Sequence, residues 1–118
     1  MNEASIVRGC RTAIGKYGGS LKDVKTGELV RIVIEEALKR ANISPDEVDD
    51  VVFGQVVPRT DENCLAARLG ALKAGIPDTV PASGVIRGCG SGMQAVIDAV
   101  RAIRLGDSGV AVAGGAEN

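Results

Sequence analysis

The sequence predicts an α/β fold, a mostly parallel sheet covered by helices. Two observations carry that expectation. Strand-like and helix-like segments alternate along all 118 residues, in the order strand, helix, strand, helix, strand, helix, strand. Aromatic residues make up only 2% of the chain (Tyr17 and Phe53). The core must therefore be built from small aliphatic side chains and close backbone contacts, which suits helices packed tightly on a sheet.

The elements read as follows. "SIVRGC" (5–10) is a short strand candidate, and the glycine-rich loop "RTAIGKYGGSLKDVK" follows it. Thr26 is expected to cap a helix whose apolar residues Leu29, Ile32, Val33 and Leu38 recur at helical spacing. Its charged residues (Arg31, Glu35, Glu36, Lys39, Arg40) form a solvated face with i,i+4 pairs. "ISPDEVDD" is a turn, with Ser44 as cap and Pro45 at a first helical position. "DVVFGQVV" reads as a buried strand, and "NCLAARLGALKAG" as a helix closed by Gly75 and Pro77. "PASGVIRG" is a weak strand because glycines weaken it. "SGMQAVIDAVRAIRLG" is the clearest helix, with Met93, Val96, Ile97, Val100 and Ile103 on one face and Gly106 at its end. "SGVAVAGGA" is a final buried strand.

Several functional classes are excluded by composition. The 14 basic and 15 acidic residues nearly cancel, so no electrostatic footprint for nucleic acid or an anionic membrane exists. Apolar runs are far shorter than the ~20 residues a membrane helix needs, and "MNEAS" is not a secretory signal, which together point to a cytoplasmic protein. Three cysteines (Cys10, Cys64, Cys89) stand far apart and the chain has no histidine. A zinc site therefore lacks ligands, no metal or resident cofactor is expected, and the thiols should be free. Any mechanism that needs an imidazole must obtain it from outside these residues.

Chemistry concentrates in "IRGCGSGMQAV" (86–96). A phosphate cradle is one reading. "GCRTAIGKY" fails as a P-loop, since five residues separate Gly9 from Gly15 and Tyr17 stands where Ser or Thr must bind magnesium. The loop "GKYGGS" could still bind an anion, although a plain surface turn is the favoured reading. Gly90, Gly92 and Ala95 match G-x-G-x-x-A, with Glu117 placed roughly where a ribose-binding acid falls, ~20 residues on. In dinucleotide folds that unit opens the domain, whereas two strand–helix units precede it here. The other reading makes Cys89 a nucleophile at a helix mouth, where unpaired N–H groups and the dipole favour thiolate. Gly88 and Gly90 would let the chain bend and a carbonyl approach, with a backbone N–H donating to an oxyanion. A small buried cysteine packed by its glycines accounts equally well for the local pattern. Cys10 and Cys64 are expected to serve core packing.

These residues resemble the thiolases, the acetyl-CoA acetyltransferases and 3-ketoacyl-CoA thiolases, from about Ser5 onward. "RTAIGKYGGSLKDV" is similar to that family's opening loop, "VDDVVFGQVVP" to its second strand and "AARLGALKAGIPDTVPA" to its next helix and turn. "CGSGMQAV" with "AIRLGDSGVAVAGGAEN" resembles its nucleophile elbow and the strand behind it. The resemblance implies thiolase-like αβα layers, with residues 1–118 forming an incomplete N-terminal half. It places Cys89 on the family's acylated cysteine, with Gly88, Gly90, Ser91 and Gly92 as the supporting turn. Substrates would be acyl-CoA or acetyl-CoA, joined by Claisen condensation or cleaved by thiolysis, in a homo-oligomer (dimer or tetramer) of fatty acid metabolism. The family's activating histidine, second cysteine and CoA-binding loop would lie beyond Asn118, so the chain alone is expected to be inactive. It departs from the family at Ile86 (usually Asn), Ala13 (Pro), Ala116 (Met) and Asn118 (Ser). Two further possibilities are a non-catalytic truncated or split subunit acting by assembly, which would expose a large apolar face, and a small dinucleotide-binding module.

Overall fold

A computed structural model describes residues 1–58 and 65–118. The helix α1 spans Thr26–Ala41, β1 Asp50–Gly54, α2 Ala66–Lys73, β2 Ala82–Val85, α3 Ser91–Leu105 and β3 Ala111–Gly115, with a 3-10 turn at Pro45–Glu47. The three strands form one sheet in the order β2-β1-β3. Both pairings are parallel, with Val51 opposite Ala82 and Val112, and Phe53 opposite Gly84 and Gly114. The expected parallel sheet is present, and the expected alternation holds from α1 onward.

The central strand sets the two faces, because successive side chains point oppositely. Val51 and Phe53 join a core cluster with Val30, Ile34 and Leu38 of α1 and Ala66, Ala67 and Ala71 of α2. Gly54 faces the other way, against the start of α3: a Cβ there would lie 2.3 Å from the Ser91 carbonyl carbon and 2.4 Å from the Gly92 nitrogen. The two helices on the first face also touch closely, since a Cβ on Gly70 would lie 2.3 Å from Val30 Cγ1. Small residues thus let backbones approach here, where large aromatics elsewhere fill the space between elements.

Local chemistry explains the helix ends. Ser44 and Glu47 form a capping box around the 3-10 turn, with the Ser44 N–H donating to Glu47 Oε2 at 2.7 Å. Asn42 and Gly106 end α1 and α3 in the left-handed region, at φ 56° and 85°. Gly75, at φ 85°, follows α2. On the exposed face of α1, Arg31 pairs with Glu35 and Arg40 with Glu36, both at 2.6 Å, as the charge pattern predicts.

Four expectations are corrected. Residues 5–10 form no strand. A strand needs neighbouring N–H and C=O groups, and among the described residues this segment pairs with none; the chain is tied before it, where Asn2 bonds to the Ile103 and Arg104 carbonyls, and at its end, where the Cys10 thiol donates to the Val33 carbonyl. Between it and β3 lies a cavity of about 1170 Å³ lined by Ile6, Val33, Val96, Val100 and Val112. Thr26 is not the cap of α1. Lys25 holds that position in an extended conformation, and Thr26 is the first helical residue, fully buried. The buried face of α3 is Ser91, Gln94, Ala95 and Ala99, while Met93 and Ile97 are exposed and Val96, Val100 and Ile103 half-buried. The helix lies too near the backbone of Gly54 and Gly115 for anything larger. The last strand is half-buried, not buried, because it is the edge of the sheet. Residues 63–64 of the expected second helix, Cys64 among them, lie outside the described residues. Large apolar side chains are exposed elsewhere too, including Ile6, Ile14, Tyr17, Ile86 and Leu105.

One side-chain clamp sets the register of β1 and β3. Asp49 Oδ2 accepts from the N–H groups of Gly109 (2.8 Å) and Val110 (2.9 Å), and the bonds from Val110 and then Gly109 hold its carboxyl below the ordinary carboxylate range. A folded-state pKa lower than the unfolded one stabilises the fold above the unfolded value and loses that contribution as pH falls through it. The urea unfolding midpoint is therefore expected to decline as pH drops below ~4, the range of an unperturbed aspartate. Asp49→Asn should show a shallower decline. An equally steep decline in that variant would remove Asp49 from the account.

Candidate active site

In a parallel sheet all strands end on the same side, and the crevice beyond their carboxyl ends is where α/β folds place ligands. Here those ends are zipped together. The Gln55 N–H donates to Val85 O, and the Ala116 N–H to Gly54 O, both at 3.0 Å. The β2–α3 connection, residues 86–90, leaves from this edge and carries Cys89, whose thiol is exposed.

The turn is built by three residues. Gly88 sits at φ 52°, a conformation that costs a side chain-bearing residue energy and glycine little. Gly90 is the N-cap of α3 and supplies no side-chain cap. Ser91, almost fully buried, stitches the loop closed: its hydroxyl accepts from the Arg87 N–H at 2.8 Å and donates to Gly88 O at 2.6 Å. The Gly90 N–H donates to Arg87 O at 3.1 Å and the Ser91 N–H to Gly88 O at 3.2 Å. Among the described residues, the amides of Cys89, Gly92 and Met93 have no backbone acceptor outside α3. An exposed cysteine therefore stands at the turn into a helix N-terminus, where backbone N–H groups can receive an oxyanion. Gly88 and Gly90 lie in the turn, and Ser91 and Gly92 are the first two residues of α3.

The remaining candidates are placed as follows. Cys10 is half-buried, its Sγ 3.2 Å from Val33 O. Glu117 directs its carboxylate to backbone, accepting from Val56 N–H at 2.6 Å and Val57 N–H at 3.3 Å. It thereby fastens the segment after β1 to the end of β3, so this carboxylate is engaged with backbone at the position the dinucleotide reading gives to a ribose-binding acid. The Asn118 amide donates to Leu21 O (2.7 Å) and Val24 O, drawing the loop before α1 to the same edge. Ile86 is 63% exposed. Sequence reasoning missed Arg87 and Gln94, whose side chains are bonded to each other beside the turn. The available signal was a lone amide inside the apolar run "GMQAVI". Among the described residues no group of three His, Cys, Asp or Glu could hold a metal, and no helix is long and apolar enough to cross a membrane.

Fold and site together define an α/β layer with a cysteine at the mouth of a helix, on the carboxyl edge of a parallel sheet. The chain belongs to the thiolase family: residues 4–118 match the thiolase N-terminal domain. It is 47% identical over 116 residues to the beta-ketothiolase BktB of Cupriavidus necator, covering 98% of this chain and 29% of that protein. It is 44% identical over 114 residues to the cytosolic acetyl-CoA acetyltransferase of Mus musculus, covering 96% and 28%. The crystal structure of the Bacillus anthracis acetyl-CoA acetyltransferase superposes with a TM-score of 0.88 at 48% identity, over 93% of this chain and 28% of that one. The chain thus spans under a third of the length of these relatives.

Proposed function

We propose that Cys89 is the acyl-accepting nucleophile of an acyl-CoA acyltransferase of the thiolase type. The observation that carries this is the exposed cysteine in the turn at the mouth of α3, where the amides of Cys89, Gly92 and Met93 have no backbone acceptor outside α3 among the described residues. In the forward half-reaction the Cys89 thiolate adds to the thioester carbonyl, and the tetrahedral oxyanion accepts hydrogen bonds from the backbone. The carbon–sulfur bond to CoA then breaks, leaving an acyl-Cys89 thioester and CoA thiolate, which takes up a proton. In condensation, a second acyl-CoA loses its α-proton to a base. Its carbanion attacks the acyl-Cys89 carbonyl, forming the new carbon–carbon bond and releasing the Cys89 thiolate. Thiolysis runs the same steps backwards.

This chain contributes the nucleophile and its turn. With no histidine in the sequence, an imidazole base must come from outside these 118 residues. The reading extends to a cytoplasmic homo-oligomer acting on acyl-CoA or acetyl-CoA; the names of relatives called acetyl-CoA acetyltransferase, one of them cytosolic, support its substrate class and compartment. A limiting amount of iodoacetamide, followed by peptide mass analysis, is expected to label Cys89 before Cys10 or Cys64. Labelling of either other cysteine first would sink the assignment.

A further inference from the structure

We infer that Gln94 is a positioning residue for the Cys89 turn, acting through Arg87. The inference rests on the reading of Cys89 as nucleophile. Gln94 is only 8% exposed, an amide buried in the first turns of α3 with both of its ends engaged. Its Nε2 donates to Asp98 Oδ1 at 2.7 Å, and its Oε1 accepts from the Arg87 guanidinium. The carboxylate decides the orientation: an ionised Asp98 only accepts, so it takes the NH2 end and leaves the oxygen facing Arg87. Asp98 is itself held by Arg101 at 3.3 Å. A chain of polar contacts, Arg101–Asp98–Gln94–Arg87, therefore runs up the helix to the turn.

Arg87 is the residue at the base of that turn, two before Cys89, and it is fastened twice. Its main-chain N–H bonds to the Ser91 hydroxyl, and its side chain to Gln94. Between this anchor and the helix stand Gly88 and Gly90, which contribute no side chain to hold the loop. Ser91 and the backbone bonds close this glycine-flanked turn, and the buried amide adds a restraint on the side chain of the residue at its base. A satisfied core glutamine would require only a partner for each end. What distinguishes Gln94 is that one partner is the base of the nucleophile's loop.

The experiment is a double-variant cycle on the 118-residue chain. Gln94→Met keeps the side chain's length and removes both hydrogen bonds; Arg87→Met removes the partner at an exposed position. The quantities measured are the rate of Cys89 carboxymethylation by iodoacetamide at one mildly alkaline pH, the rate at Cys10, and the urea midpoint. Each single change is expected to slow Cys89 at least ~3-fold, because a loosened turn carries the thiol away from the helix-mouth amides, and to leave Cys10 unaltered. The double variant should be no slower than the slower single, since contacting residues that act as a unit do not add. Slowing that falls short of this, multiplies in the double variant, or is replaced by a lowered urea midpoint alone overturns the inference. Should Gln94→Met fail to fold, Arg87→Met carries the test. The order of labelling in the unaltered chain reads the nucleophile assignment separately from the variant ratios at Cys89.

Discussion

Cys89→Ser is expected to lower acyl transfer by ~10³-fold or more wherever this chain works with a complete set of catalytic groups, the scale seen when a nucleophile is removed from a coupled catalytic unit. The substitution is nearly isosteric, and the site is exposed, so folding should be unaffected. What changes is the attacking atom. A serine hydroxyl in the same place is a far weaker nucleophile than a cysteine thiol. Loss of acetoacetyl-CoA absorbance in the presence of CoA measures the effect, and a variant that keeps turnover would remove Cys89 from the mechanism. The 118-residue chain by itself should show no turnover, since it holds no imidazole to take the α-proton or the thiol proton. Measurable cleavage by the isolated chain would refute that division of labour.

Gly54→Ala should be the most disruptive single methyl group in the structure. The added Cβ would lie 2.3 Å from the Ser91 carbonyl carbon and 2.4 Å from both Gly92 N and Ser91 O, all main-chain atoms in the first turn of α3. Backbone cannot rotate aside as a side chain can, so the helix must lift from the sheet. Overpacking of ordinary side chains costs ~1–3 kcal/mol, and a backbone clash at this distance is expected at or above the top of that range. The displacement also falls on Ser91, whose hydroxyl closes the nucleophile's turn. Stability and Cys89 reactivity should therefore fall together. Urea unfolding and the carboxymethylation rate test this jointly, and a stable variant with unaltered labelling would contradict the close approach.

The contrast between these two positions shows how much was legible beforehand. Cys89 announces itself: a cysteine between glycines, just before an amphipathic run, already poses the nucleophile question. Alternation along the chain likewise points to the parallel sheet, and Ser44, Pro45 and Gly106 mark element ends through chemistry contained within a few residues. Gly54 gives no such signal. In sequence it is a glycine at the end of a strand, and only the packing of α3 across it makes its missing side chain necessary. The same holds for the face of α3. Periodicity favours the large residues Met93 and Ile97, yet Ala95 and Ala99 are buried, on a helix whose first turn lies against Gly54 and Gly115.

By itself, the sequence determined the alternation of elements, the free-thiol chemistry and the placement of Cys89 at a strand-to-helix turn, because these depend on spacing and residue type over short stretches. Tertiary structure alone decided that residues 5–10 find no strand partner and that Glu117 bonds to the amides of Val56 and Val57. It also brought Gln94 and Arg87 together at the base of the nucleophile's turn. Each of these depends on where a backbone or side-chain partner lies in space. A carboxylate or amide has the same composition whether it faces water, a ligand or a buried N–H group, and only the packing of α3 on β1 and β3 settles which.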